Sequence, residues 1–369
     1  MKLMEPDYKH SILNVSHTIL NHYGCKTNRE VIDKLKNVLD KNYKHVFLIL
    51  LDGMGTNVVK KHLSKKDFLR KYMIDKITSV YPPTTVAATH AILTAKPPYE
   101  SGYLGWTQYF PKEDVQNIVF RNKDYYDENK VINENLKDKY LKHELIFERI
   151  EKANKNVKTQ QLFPSFVKGG YDTFEDQIEE AINISQTNDQ TFSYLYWINP
   201  DDLEHKYGPM SKEVKVELKN LSKDVTHLAE QMHSDSVIIV MADHGQIAVK
   251  PIEFYDTKYL CDMLERMPSL EPRTPTFFVK DEKRIEFRMM FKKMYETRFH
   301  LYNKNEFLES GLLGDGVKHP MLDQFIGDYV ALAINDSYLK FKPTAVYKGH
   351  HAGLTKGEME VPLIVYEKK

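Results

Sequence analysis

Three apolar runs along the chain each stop at or just before an aspartate. Val46-Phe47-Leu48-Ile49-Leu50-Leu51 ends at Asp52-Gly53, Phe192-Ser193-Tyr194-Leu195-Tyr196-Trp197-Ile198 leads into Asn199-Pro200-Asp201, and Val237-Ile238-Ile239-Val240-Met241 leads into Ala242-Asp243-His244-Gly245. Apolar runs of this length, bounded by turn residues, read as buried strands. Between 45 and about 250 such segments alternate with helix-like ones. The pattern predicts a charged helix over 130–152, a strand over 157–162 and a helix over 173–184. It also predicts an amphipathic helix over 211–233, where Leu218, Leu221, Val225, Leu228 and Met232 recur at helical spacing. This alternation implies an α/β fold, a mostly parallel central sheet with helices on both faces.

After Gly245 the pattern breaks. Pro251, Pro268, Pro272 and Pro275 interrupt it, and charge-rich, aromatic sequence follows through about Gly316. Strands are expected there at 276–279 and 329–334, and a final strand at 361–366. The implied organisation is a core of 1–249 and 346–369 with an inserted cap, 250–345.

Composition narrows the function classes. A chain of 369 residues can bury a sizeable core, and 52 basic residues balance 52 acidic ones. No global field draws in a nucleic-acid polymer or an anionic membrane. Cys25 and Cys261 are the only cysteines and lie far apart, which argues against a disulfide framework and against thiolate metal sites. The N-terminus lacks an apolar signal core and no run approaches a membrane span, so the expected location is cytoplasmic.

Ligand chemistry gathers at the strand ends. An aspartate at the carboxyl end of a buried strand projects to where open α/β sheets bind ligands, although such a residue often only caps a helix or closes a turn. Asp201 and His205, four apart, share one face if a helix starts there. Asp52, Thr85, Asp201, His205, Asp243, His244 and His351 together suffice to hold two divalent metal ions beside a hydroxyl. His350 is an alternative to His351, because neighbours on an extended segment point opposite ways. Gly53-Met54-Gly55 lacks the third glycine of a dinucleotide loop and reads as a turn. His45 and His90 read as core or rim histidines.

In order and spacing these segments resemble the alkaline phosphatase superfamily, and within it the type I phosphodiesterase and nucleotide pyrophosphatase branch. The likeness runs through Asp52-Gly53, Tyr81-Pro82-Pro83-Thr84-Thr85 with Thr94 and Pro98 to Gly102, Asn199-Pro200-Asp201 through His205 to Pro209, Asp243-His244-Gly245, and His351-Ala352-Gly353-Leu354. It covers most of 45–250 and then 345–369. The resemblance implies that Thr85, rather than Thr84, is the nucleophile. It implies one metal on Asp201, His205 and His351, and a second on Asp52, Asp243 and His244 with the Thr85 oxygen. Zinc is the metal it favours, with Mn²⁺ also compatible with carboxylate and imidazole. The implied activity is metal-dependent hydrolysis of a small-molecule phosphate ester, a phosphodiester or nucleotide pyrophosphate, through a phosphothreonine intermediate.

Two positions depart from the family. Trp106 stands where nucleotide pyrophosphatases carry an asparagine that steadies a phosphate oxygen, so an indole or a nearby backbone N–H would replace that amide. Thr84 stands where a lysine is common. Phosphomonoester or phosphonate hydrolysis on the same site is therefore an alternative, and so is a metal- or ligand-binding protein without turnover. Aromatic residues of the cap suit either a leaving-group surface or a homodimer contact.

Overall fold

The computed structural model describes residues 1–368. Its first sheet has six strands. His45–Leu51, buried along its whole length, lies between Ser236–Met241 and Gln190–Trp197, and Val157–Leu162 extends the sheet beyond the latter. These four neighbours are parallel. On the other side Glu360–Lys368 runs antiparallel to Ser236–Met241, and Met73–Thr78 pairs antiparallel with it at the edge. The sheet is therefore mixed. The reversal has a topological cause: the last segment re-enters at the carboxyl ends of the parallel strands, where Gly245 N–H donates to Glu358 C=O at 2.8 Å, and can only run back from there.

The helices form two groups. Ile12–His22 packs on Thr85–Thr94 and Ile146–Ala153, while Lys212–Gln231 packs on Phe174–Ser185 and Thr56–His62. The 20-residue helix Lys212–Gln231 starts where Ser211 accepts from Val214 N–H, and it buries Val214, Leu218, Leu221, Val225 and Leu228. Each such side chain contributes roughly 1.5–3 kcal/mol relative to exposure. Over 130–152 the structure departs from the expected single helix. Two short helices, Leu136–Tyr140 and Ile146–Ala153, are separated by a turn that sends Leu141 fully into the interior. A continuous charged helix would leave no apolar stripe to bury there.

A second, antiparallel sheet of seven strands lies beside the first, in the order Phe299–Asn303, Tyr329–Ala333, Thr274–Val279, Leu264–Glu271, Thr107–Phe110, Val115–Ile118, Lys123–Asp124. Four of its strands come from 250–345 and three from the segment after the Thr85 helix. They join where Leu270 pairs with Thr107. No helix among the described residues is long and apolar enough to cross a membrane.

Candidate active site

Each acidic side chain reaches the site from the end of a strand or the start of a helix. Asp52 follows His45–Leu51, Asp243 follows Ser236–Met241, and Asp201 opens the helix Asp201–Tyr207. Gly53, at φ +74°, makes their convergence possible: a Cβ there would lie 2.9 Å from the Asp201 Cα. Asp201 and His205 fall on one helical turn, with Nε2 and Oδ2 3.4 Å apart. His351 arrives through a two-residue ladder in which His350 pairs with Ile247 and Gly349 with Ala248. Thr85 is the first residue of the helix Thr85–Thr94, where unpaired N–H groups and the helix dipole favour an anion.

The donor atoms form two overlapping groups. Those of Asp52, Asp243 and His244 lie within 4.8 Å of one another, and so do those of Asp201, His244 and His351. His244 stacks on His351 with ring centroids 4.0 Å apart and serves both groups, while His205 joins through Asp201. The Thr85 hydroxyl oxygen sits 3.4 Å from Asp52 Oδ1 and 3.2 Å from His244 Nε2. His350 instead packs against Tyr338 and Tyr347 in a neighbouring cavity wall, its Nδ1 accepting from His351 N–H at 2.9 Å.

The ring tautomers follow from the carbonyls they face. His205 Nδ1 donates to Gly349 C=O at 2.9 Å, His351 Nδ1 to Pro83 C=O at 3.2 Å, and His244 Nδ1 to Gly245 C=O at 3.3 Å. A proton on Nδ1 leaves Nε2 as a bare lone pair. Those lone pairs face carboxylate oxygens: His244 Nε2 is 3.4 Å from Asp52 and 3.5 Å from Asp243, and His351 Nε2 is 3.9 Å from Asp201. Acceptors facing acceptors at this range repel unless a cation lies between them. Asp243 Oδ2, fully buried, has no hydrogen-bond partner. Burial, followed by the charges of Asp243 and Asp201, holds the Asp52 carboxyl well above the ordinary carboxylate range. Burial and the neighbouring His244 and His350 drive His351 well below the ordinary imidazole range. Oxygen and neutral-imidazole donors, with Nδ1 anchored on carbonyls, fit a divalent ion of the zinc or manganese kind.

Several residues at the site escape a reading of sequence. Tyr196 OH donates to Asp52 Oδ2, and Gln246 Nε2 donates to Asp201. Tyr196 lies within the second apolar run and Gln246 directly after Asp243-His244-Gly245, so each carried a weak positional signal. Glu271, 2 % exposed, accepts from both the Thr84 hydroxyl and Trp106 N–H at 2.6 Å. Burial raises its pKa to about 7 against the pull of those donors. The Trp106 N–H is therefore already engaged. Its indole packs edge-on to Phe120 at 6.0 Å.

Two cavities meet here. One, of about 740 Å³, is walled by Phe120, Phe163, Phe166, Tyr194 and Tyr196. The other, of about 440 Å³, opens towards Tyr125, Lys340, Lys342 and Tyr347. Thr85, Trp106, Arg121 and Asp201 line both.

The family model described as type I phosphodiesterase / nucleotide pyrophosphatase matches residues 46–307. Among solved structures, murine ectonucleotide pyrophosphatase / phosphodiesterase 5, as an inactive threonine-to-alanine form in complex with AMP, is similar with a TM-score of 0.65 at 17 % identity, covering 88 % of each chain. The human protein of the same name gives a TM-score of 0.65 at 17 % identity over 87 % of each chain. No curated protein matches in sequence.

Proposed function

The chain belongs to the type I phosphodiesterase / nucleotide pyrophosphatase family, and from that premise we propose that it hydrolyses phosphodiester or nucleotide pyrophosphate bonds of small molecules, with Thr85 as nucleophile. The observation that carries this reading is the set of imidazole lone pairs facing buried carboxylates around the Thr85 hydroxyl. Asp201, His205 and His351 would hold one divalent ion, and Asp52, Asp243 and His244, with the Thr85 oxygen, a second. Bound ions supply the Lewis acidity that makes a threonine hydroxyl nucleophilic at neutral pH and offsets charge on the departing oxygen.

The chain's own residues set the geometry. Tyr196 fixes one oxygen of Asp52, Gln246 fixes Asp201, and the carbonyls of Gly349, Pro83 and Gly245 fix the three rings. Glu271 ties Thr84 to the start of the strand Thr107–Phe110 and so holds the segment presenting Thr85. The phosphoryl group would sit at the N-terminus of the helix Thr85–Thr94, whose dipole favours its negative charge. The Thr85 oxygen bonds to phosphorus, the bond to the leaving oxygen breaks with its electron pair, and water later cleaves the phosphothreonine. The aromatic walls of the larger cavity suit a nucleoside or aryl group. The residues of 250–345 act as a cap over the opposite side, and a cytoplasmic location accords with two free thiols.

Turnover of bis-p-nitrophenyl phosphate, thymidine 5′-monophosphate p-nitrophenyl ester and p-nitrophenyl phosphate, with Zn²⁺ and Mn²⁺ added separately, tests ester class and metal together. Diesterase activity that needs added metal is expected. Bound metal without turnover of any ester would replace this reading with that of a binding protein.

A further inference from the structure

A phosphoryl group bonded to Thr85 carries non-bridging oxygens, and one that turns away from the acid and imidazole cluster needs a donor from the chain. Most polar groups in the smaller cavity beside Thr85 are already committed. The Thr84 hydroxyl and the Trp106 N–H both donate to Glu271 at 2.6 Å. Lys340 is buried 3.6 Å from Glu253, and Lys342 donates to the Tyr125 C=O. The Arg121 guanidinium lies 5.6 Å from the centre of the Trp106 ring and lines the larger cavity as well. Tyr347 differs from all of these. Its ring packs on the imidazoles of His205 and His350, with centroids 4.9 and 5.1 Å away. The backbone is held on both sides of it, since Tyr347 N–H donates to the Tyr338 hydroxyl and Lys348 N–H to the His205 C=O, each at 2.9 Å. Its own hydroxyl has no hydrogen-bond partner among the described residues. The side chain lines the same cavity as Thr85, Asp201 and His205. Burial, then the charges of Glu271 and Asp201, act on the hydroxyl to raise its pKa, which places that oxygen on the side of the cavity where Thr84 and the acids lie.

We propose that Tyr347 is a catalytic residue whose hydroxyl donates to a non-bridging oxygen of the phosphoryl group on Thr85, and does so more strongly as charge builds there during transfer. The proposal rests on the assignment of Thr85 as nucleophile and adds a residue that lies outside every ligand segment. Tyr347 comes from the exposed stretch 343–348, directly ahead of Gly349-His350-His351. One short piece of chain thus delivers both a ring nitrogen to the acid cluster and a hydroxyl to the cavity beside it. An ordinary phenol carries its proton at neutral pH, so the group donates without adding a charge and without entering the proton balance of the reaction.

Two measurements test it. In the metal-loaded enzyme, Tyr347→Phe keeps the ring on His205 and removes only the hydroxyl. It should lower kcat for the thymidine 5′-monophosphate p-nitrophenyl ester by about 10- to 100-fold and change KM less than about 3-fold, at unchanged metal content and melting temperature. Of the two phosphorothioate diastereomers of that ester, the one that keeps oxygen towards Tyr347 should be slowed by the same factor. The other should be slowed far less, because its sulfur accepts poorly and gains little from the hydroxyl in the first place. An unchanged kcat, equal slowing of both diastereomers, or a kcat loss in Arg121→Gln with none in Tyr347→Phe overturns the proposal. The second measurement is calorimetric binding of inorganic phosphate to metal-loaded Thr85→Ala protein, with and without Tyr347→Phe. Inorganic phosphate carries more charge on its oxygens than a diester does, and its affinity should fall about tenfold, the worth of one hydrogen bond to a charged group. Unchanged phosphate affinity overturns the proposal. A wild-type enzyme that turns over no ester overturns the hydrolase reading instead, and the phosphate titration still decides whether Tyr347 holds the phosphoryl group.

Discussion

Two groups of buried charge lie close together in this molecule and are built on opposite principles. Arg273 and Glu358, both fully buried, form a two-point ion pair at 2.6 and 2.8 Å. Arg273 also donates to the Ser337 and Asn335 carbonyls, and Glu358 also accepts from Gly353 N–H and from the N–H and hydroxyl of Thr355. That group is saturated by the protein, and it pins the loop behind His351 to the second sheet. The acid and imidazole cluster is the reverse. It has three carboxylates, imidazole lone pairs aimed at them, and an Asp243 oxygen with no partner. A buried charge that the protein satisfies is structural, whereas a cluster with acceptors in excess is incomplete until something cationic joins it.

The contrast breaks most sharply at Thr85. Thr85→Ala should lower kcat by roughly a thousandfold or more while thermal stability and metal content hold. Thr84→Ala should cost only a few-fold in steady-state assays, since it removes one of two donors to Glu271. Reversed effects would move the nucleophile by one residue.

The saturated pair should respond in stability. Glu358→Ala leaves Arg273 buried and unpaired, and a loss of about 3–5 kcal/mol in denaturant unfolding is expected. Asp243→Asn, measured in chelator, should be neutral or stabilising by about 1 kcal/mol, because the amide oxygen still accepts from the Gly53 and His244 N–H groups while the like charge beside Asp52 and Asp201 is removed. A large destabilisation by Asp243→Asn without metal would erase the distinction between the two groups.

Glu271 gives a smaller effect through pH. Its folded pKa of about 7 exceeds that of an exposed glutamate, so the folded chain binds more protons than the unfolded one between the two values. Stability of the chelated protein should then fall as pH rises from about 4.5 to about 7, by on the order of 2 kcal/mol from this group. Glu271→Gln should flatten that part of a melting-temperature profile, and an unchanged slope would place the titration elsewhere.

The smallest expected change is at Trp106. Trp106→Asn removes the ring under Arg121 and should shift the diester-to-monoester rate ratio a few-fold on the three aryl substrates. A constant ratio would show that the indole does not shape the phosphate site.

The sequence by itself determined the strand ends and the order of the segments that carry the acids and histidines of the site. A buried strand needs an apolar run and the chain must turn where that run stops, so Asp52, Asp201 and Asp243 were legible from local pattern, as was the helix Lys212–Gln231. The single helix expected over 130–152 failed because burial of Leu141 outweighs local charge pattern. Tertiary structure alone decided the rest. The sheet is mixed because the last strand enters at the site end. His351 lies beside Asp201 while His350 turns to Tyr338 and Tyr347, a choice made by the short ladder with Ile247. Glu271 meets Thr84, and Arg273 meets Glu358, across 187 and 85 positions of sequence respectively. Contacts between residues so far apart carry no period and no local spacing; they exist only once two sheets have packed and closed a shared interior between them.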